Sequence, residues 1–406
     1  MAEHPRQAVP QVQSTLAKLS LCRTAALGGR KLQCGQCPHE AMVYNSCGDR
    51  HCPKCAGAKR SSWSDASEQL ILAGVAHYQV VFTLPGQLSR LALGNRRQLY
   101  DLLFSAAWLA LKETIEEEQG FDPAALMVLH TWNQKLEAHA HVHAVVPGGG
   151  PALRDGHWKE ATAPDGRPAG WYLVDAVALR RAFREHFING LRRLLAGAEL
   201  KLEGEFEPLQ NADEQEQLLN ELETVEWVSY IEPPPHEDCR PENVLKYLAR
   251  YLTGGPICDS RIVAADERQV TFLAREGKVI GGQREQIPIT LTTVEFTRRW
   301  SLHILPKGYT KARRFGGWSN RRTGAYVERC AMLLESVNAP LLSEASSFDP
   351  TLFEHDVVDS AVATDHQCPH CGGAMRQTAS TFKPSWRDVM HSAYRPNWYT
   401  HIRPRL

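Results

Sequence analysis

The stretch 137–150, EAHAHVHAVVPGGG, sets histidines at 139, 141 and 143 ahead of an apolar run and three glycines. On a β-strand successive side chains alternate faces, so a strand here points all three imidazoles the same way. The apolar AVV carries such a strand into a sheet core, and the glycines end it where backbone can approach a ligand closely. His130 lies eleven residues before His141 in ALMVLHTW (125–132), a second strand by pattern joined to the first by a short polar connection. A hairpin centred near Lys135 sets His130 across the ladder from His141, within reach of one ion. His141, His143 and His130 therefore form a candidate metal site, with His139 as the alternative third ligand and Gln134 and Glu137 as outsiders.

The flanking elements complete a fold. YQVVFTL (78–84) reads as a strand, 95–118 as a long helix, 175–195 as a second helix, TVEWVSYI (224–231) as a strand and 243–252 as another helix. Strand, helix, strand, strand, helix, strand is the split βαβ order of ferredoxin-like folds, an α+β class with an antiparallel sheet and helices on one face. Beyond residue 253, RIVAA, QVTFLA and IPITLT are short strand patterns, followed by helices at 294–304 and 326–334. The chain divides on this reading into a cysteine-rich module (1–75), a core (76–258), a basic continuation of the core (259–339), an acidic linker (340–365) and a small CxxC tail (366–406).

Composition narrows the class. The 406 residues are 43% hydrophobic, with 46 basic and 46 acidic side chains, which argues against a protein coated in positive charge. The polar N-terminus and the lack of an apolar run long enough for a membrane helix predict a soluble cytoplasmic protein. Charge is unevenly spread: KGYTKARRFGGWSNRR (307–322) holds six basic residues and no acid, whereas 340–365 holds six acids and no Lys or Arg. Lys307, Lys311, Arg313 and Arg314, interleaved with Tyr309, Phe315 and Trp318, suit a nucleic-acid backbone with stacked bases.

Seven of eleven cysteines fall in two clusters. CGQC (34–37) and CPKC (52–55) are two knuckles whose four thiolates would close one structural zinc site, Cys34, Cys37, Cys52 and Cys55. CPHC (368–371) offers half of a second, Cys368 and Cys371, with His391, His401 or Cys330 as its available partners. Cys22, Cys47, His39 and His51 are left over.

Imidazole ligands prefer zinc, copper, iron or nickel, so donor type alone suggests a zinc hydrolase at the histidines. No helical HExxH supplies its base, and a nucleophile must come from elsewhere. NVLKYLARYLTGG provides one: Tyr247 and Tyr251 are four apart and share a helix face, their Cβ atoms about 5–6 Å apart, with Lys246 and Arg250 on the opposite flank. A tyrosine hydroxyl is a poor nucleophile at neutral pH unless a metal or base assists it. The competing reading makes both tyrosines core aromatics of an amphipathic helix.

CRTAALGG, NSCGDRHCPKC, VVFTLPG, VLHTW, HAHVHAVVPGGG, KYLARYLTGG, EFTRRWSLHILPKGYTKARRFGGW and the late CPHCGG together resemble the HUH endonucleases, and within them the two-tyrosine IS ninety-one family of insertion-sequence transposases, over residues 21–373. The resemblance implies that His141 and His143 hold Mg²⁺ or Mn²⁺ against a phosphate of single-stranded DNA. Tyr247 and Tyr251 then attack in turn, each leaving a 5′-phosphotyrosine and a free 3′-OH. The implied partners are element ends and target in the bacterial nucleoid. No GxxxxGK[ST] motif is present, so strand separation falls to a host helicase or to supercoiling. Two other classes remain open: a metal-dependent hydrolase using water, and a non-catalytic zinc-bearing DNA-binding regulator.

Overall fold

A computed structural model describes residues 10–55, 70–164, 171–232, 255–280, 283–342, 367–386 and 389. The chain forms two compact units, Met1–Gly57 with Ser343–Leu406, and Ala58–Leu342. The CxxC tail, 366–406, is grouped with the N-terminal residues in the first of these. Helix α1 (Pro10–Ser20) leads to β1 (Gly29–Cys34) and β2 (Glu40–Tyr44), and the tail strand Met375–Thr381 pairs antiparallel along the other edge of β1. A two-stranded hairpin is marginal alone, and the third strand caps its open edge. The glycines of CRTAALGG make the close approach feasible. Gly28 sits at φ +70° where a Cβ would lie 2.8 Å from the Phe382 carbonyl oxygen, and a Cβ on Gly29 would lie 2.5 Å from that of Val43.

The larger unit is organised by a five-stranded antiparallel sheet. In chain order come β3 (His77–Thr83), helices α2 (Leu88–Gly94) and α3 (Arg96–Thr114), β4 (Ala124–Trp132), β5 (Ala138–Pro147), the short pair β6 (Gly149–Pro151) and β7 (Trp158–Glu160), α4 (Ala176–Ala196), α5 (Ala212–Thr224) and β8 (Val228–Glu232). Four strands lie in the order β4-β5-β3-β8, the ferredoxin-like arrangement, and a fifth, β12 (Ala312–Gly316), adds outside β4. Between β8 and β12 run β9 (Ile262–Ala265), β10 (Gln269–Ile280) and β11 (Gln283–Thr292), which form their own antiparallel sheet, and α6 (Thr293–Ser301). Helix α7 (Thr323–Leu342) follows.

The two faces of the main sheet are built differently. Tyr78, Val80, Phe82, Met127, Leu129, Val142 and Ala144 point to one face, where Leu103, Phe104 and Leu111 of α3 and Phe183, Phe187 and Leu191 of α4 bury them. Alternation sends Leu126, Val128 and Val145 to the other face, under Leu70, Leu72, Trp318 and, from α7, Tyr326 and Cys330. Helical cover is thus not confined to one face. Among the described residues it spans only part of the second, where the histidines lie beyond it.

The glycine run after β5 serves packing rather than ligand approach. A Cβ on Gly148 would lie 2.7 Å from the Tyr78 ring, one on Gly149 2.8 Å from Trp158, and one on Gly150 2.7 Å from the Asp122 carbonyl oxygen. Protein atoms fill the space that a ligand would need.

Candidate metal centre

His130 is the direct cross-strand partner of His141, and His143 follows two residues along the same face of β5. Ring centroids lie 5.4 Å apart for His130 and His141, 4.6 Å for His130 and His143, and 5.0 Å for His141 and His143. One nitrogen from each falls within 4.8 Å of the others. His139 stands beside the cluster, 5.2 Å from the His141 ring, and is not part of the converged set.

Burial pushes the His141 imidazolium down to about 3, with the neighbouring His143 adding to the effect. His143 falls to about 4 through burial and then the Lys311 charge, and His139 is lowered by burial. At neutral pH these rings carry lone pairs, which a cation requires. His141 Nδ1–H donates to the His139 carbonyl oxygen at 2.9 Å, which leaves Nε2 for a ligand. Beside His143, Gln79 Nε2 lies 2.9 Å from Nδ1, while the buried Gln79 Oε1 has no hydrogen-bond partner. Turning that amide by half a turn makes Oε1 the acceptor of Nδ1–H and frees Nε2 of His143, so cation binding and amide orientation are coupled. Three neutral imidazoles fit a divalent transition ion and leave coordination positions open.

The hairpin carrying these rings is held at its tip by three side chains. Consecutive carbonyl oxygens of Gln134, Lys135 and Leu136 accept from Arg261 (2.7 Å), Arg299 (3.1 Å) and His303 (3.0 Å). Leu136 sits at φ 61°, an unusual conformation for a bulky residue, and is fully buried. Asn133 closes the turn, its Oδ1 accepting from the N–H of Lys135 and of Glu137 at 2.9 Å each. Glu137 is engaged by Asn133 and Arg299, and Gln134 joins the clamp through its backbone.

Around the cluster, Trp132 stacks on His130 at 4.7 Å, and Lys311 Nζ lies 5.0 Å from the Trp132 ring. Tyr230 is opposite Val81, which is opposite His143, so the three share a face, and Tyr230 is 56% exposed on the edge strand. The base-stacking expectation for 307–322 is corrected. Tyr309 and Trp318 are 2% and 0% exposed, and Phe315 packs on Trp108, because the segment closes the sheet edge as β12. Arg313 pairs with Asp101 and lies over the Phe104 ring, an anchoring role rather than a solvent-facing one. Arg314 is half-buried on β12 and Lys307 is exposed. Tyr247, Tyr251, Lys246 and Arg250 lie outside the described residues. The pattern reading missed Gln79, Trp132, Tyr230 and the tip clamp, and only the period-two alternation of HYQVVFT and VSYIE gave a signal for Gln79 and Tyr230.

The cysteines regroup. Cys34 and Cys37 do not join Cys52 and Cys55. The sets that converge are Cys22, Cys47, Cys52 and Cys55, and Cys34, Cys37, Cys368 and Cys371, each with sulfurs within 4.8 Å of one another. The reason is the β1–β2 hairpin. CGQC sits at its tip, while Cys22 and Cys47 flank its base, and a six-residue strand at roughly 3.3 Å per residue keeps tip and base apart. Cys330, offered by the sequence as a tail partner, is buried under the main sheet instead. Sulfur contacts of 3.5 Å (Cys22–Cys55) and 3.6 Å (Cys47–Cys55) are too long for disulfides and near the edge of a zinc tetrahedron, about 3.8 Å.

Fold and donors thus define a metalloprotein with a thiolate module and a separate sheet domain bearing an open histidine site. Residues 1–84 match a family model described as a transposase zinc-binding domain, and residues 124–325 one described as a putative transposase. A putative transposase, y4qJ, of Sinorhizobium fredii is 32% identical over 94% of this chain and 92% of its own length. The transposase for insertion sequence element IS801 of Pseudomonas savastanoi pv. phaseolicola is 26% identical over 90% of this chain and 83% of its own. The chain belongs to the IS ninety-one family of insertion-sequence transposases, DNA-processing enzymes with structural zinc. Among the described residues no helix is long and apolar enough to cross a membrane.

Proposed function

We propose that the protein nicks and rejoins single-stranded DNA at the ends of an insertion sequence through tyrosine-linked intermediates. The observation that carries the reading is the convergence of His130, His141 and His143 on one face of the main sheet, in a chain of this family. A divalent cation held there, Mn²⁺ suiting the imidazoles better than Mg²⁺, supplies charge stabilisation to a scissile phosphate. Tyr247 or Tyr251 gives up its phenolic proton and attacks phosphorus. The bond to the 3′ oxygen breaks, and that oxygen leaves and takes up a proton as a 3′-OH. The phosphotyrosine ester keeps the bond energy, so a later 3′-OH reverses the step without ATP. Two tyrosines allow two strands to be held in exchange. Lys307, Lys311 and Arg314, with Lys246 and Arg250, are proposed to meet the DNA backbone, and Tyr230 to offer a base its ring. The single strand is supplied by a host helicase or supercoiling, in the cytoplasm.

The test is incubation of the protein with Mn²⁺ and end-labelled single-stranded DNA, followed by denaturing electrophoresis. A protein-linked band that vanishes only in the Tyr247→Phe, Tyr251→Phe double variant supports the proposal. Cleavage with no adduct replaces it by a water-using hydrolase, and binding with no cleavage by a regulator.

A further inference from the structure

The cysteines at the two ends of the chain form matched knuckles. Cys34 N–H donates to the His39 carbonyl oxygen at 2.9 Å, and Cys368 N–H donates to that of Gly373 at 2.7 Å, so each knuckle returns to its first cysteine after five residues. The knuckles face one another. Gly35 N–H donates to the Ala374 carbonyl oxygen at 3.1 Å, and the His39 and His370 rings lie 4.5 Å apart. Sulfur contacts cross between them: Cys34 to Cys371 at 3.4 Å and Cys37 to Cys368 at 3.6 Å, separated by 337 and 331 residues. Gln36 N–H donates to Cys34 Sγ at 3.3 Å, as Asp49 N–H does to Cys47 Sγ at 3.4 Å in the other cluster. Backbone donors aimed at sulfur stabilise thiolate and orient it toward a metal.

We infer that Cys34, Cys37, Cys368 and Cys371 hold a second zinc ion, which clasps the C-terminal segment to the N-terminal module and makes the tail strand part of the zinc-binding domain. A tetrahedral all-thiolate site takes zinc and leaves no position for substrate, so the role is structural. The register agrees: the β1–tail ladder ends at Cys34 opposite Met375, next to both knuckles. Without the ion, nothing covalent joins the ends, and a ladder along one edge of a small sheet must hold the segment unaided. The two sites differ in access. Cys22, Cys47, Cys52 and Cys55 are all buried, whereas Cys371 is exposed and Cys37 half-buried, so the clasp loses its ion to chelators first.

The test uses the full chain loaded with Co²⁺, whose thiolate charge-transfer absorption reports cysteine sites and not the histidines. Elemental zinc is counted in parallel, and trypsin cleavage is timed at Arg376. Cys34→Ser and Cys371→Ser are each expected to lose half the thiolate band and one zinc per chain. The double variant should lose no more than either single one, since both thiolates serve one ion. All three should be cut at the tail about tenfold faster or more, because the strand opens locally. A double variant that loses the whole band while each single keeps half, or a Cys371→Ser protein with unchanged band and cleavage, overturns the clasp. Should a serine variant lose both sites by failing to fold, Cys371→His decides. Recovery of two ions and slow cleavage supports the inference, and failure to recover overturns it.

Discussion

The thiolate module and the sheet domain solve the same problem with different material. In the module the buried cluster is Cys22, Leu27, Cys47, Cys52 and Cys55, flanked by a few half-buried apolar residues. In the sheet domain, aliphatic and aromatic side chains fill one face under α3 and α4 and part of the other under Trp318 and Tyr326. A small unit cannot bury enough apolar surface to offset its chain entropy, so metal–thiolate bonds take over. The larger unit is held by burial, and its converged imidazoles are the ones proposed to serve chemistry. Donor number follows the same division: four thiolates close a site, and three nitrogens leave one open.

The comparison breaks first, and most visibly, on zinc removal. Chelation should unfold the module, a loss on the order of 10 kcal/mol, while the sheet domain keeps its structure. Hydrogen exchange would show amides of β1 and β2 losing protection and those of β4 and β5 keeping it; loss in both would mean the units are not independently held.

Next in size is His141→Ala. Cleavage of single-stranded DNA should fall by about a hundredfold or more, with the melting temperature unchanged or higher, since a buried polar ring is removed. A large drop in melting temperature with proportionate residual activity would make the ring structural instead.

Gln79→Leu should weaken Mn²⁺ binding by about 10–100-fold through the lost acceptor at His143 Nδ1, whereas Gln79→Glu should retain it. Titration calorimetry measures both, and equal affinities in the two variants would remove Gln79 from the site.

The smallest effect is a pH dependence at the hairpin tip. His303 accepts from the Thr131 hydroxyl at Nδ1 and donates from Nε2 to Leu136, an arrangement of the neutral ring, and burial lowers it to about 4. A depressed histidine gives stability that is complete above the unfolded value near 6.5 and is lost as pH falls toward 4. Urea unfolding of the sheet domain should lose about 2 kcal/mol from this residue between pH 7 and pH 5. His303→Gln should flatten that part of the slope, and an unchanged slope would assign it elsewhere.

Some of this was legible in the chain and some was not, for identifiable reasons. The ferredoxin-like order could be read because β3, β4, β5 and β8 are short runs rich in β-branched, aromatic or other apolar residues, and in any strand side chains alternate between faces with period two. Histidines at 139, 141 and 143 share a face by the same rule. Which of them converges with His130 depends on register across the β4–β5 turn, where buried Leu136 in a left-handed conformation sets the geometry. In 307–322 only the aromatics misled, because Phe315 and Trp318, the residues that dock the segment, look equally suited to bases and to a core.

The sequence by itself determined the element order, the identity of the metal-binding residue types and the histidine face, since these rest on local periodicity and donor chemistry. Only the tertiary structure decided which cysteines share a site. CxxC knuckles are locally equivalent, and the length of the β1–β2 hairpin together with the returning tail strand sends Cys34 to Cys371 and Cys55 to Cys22.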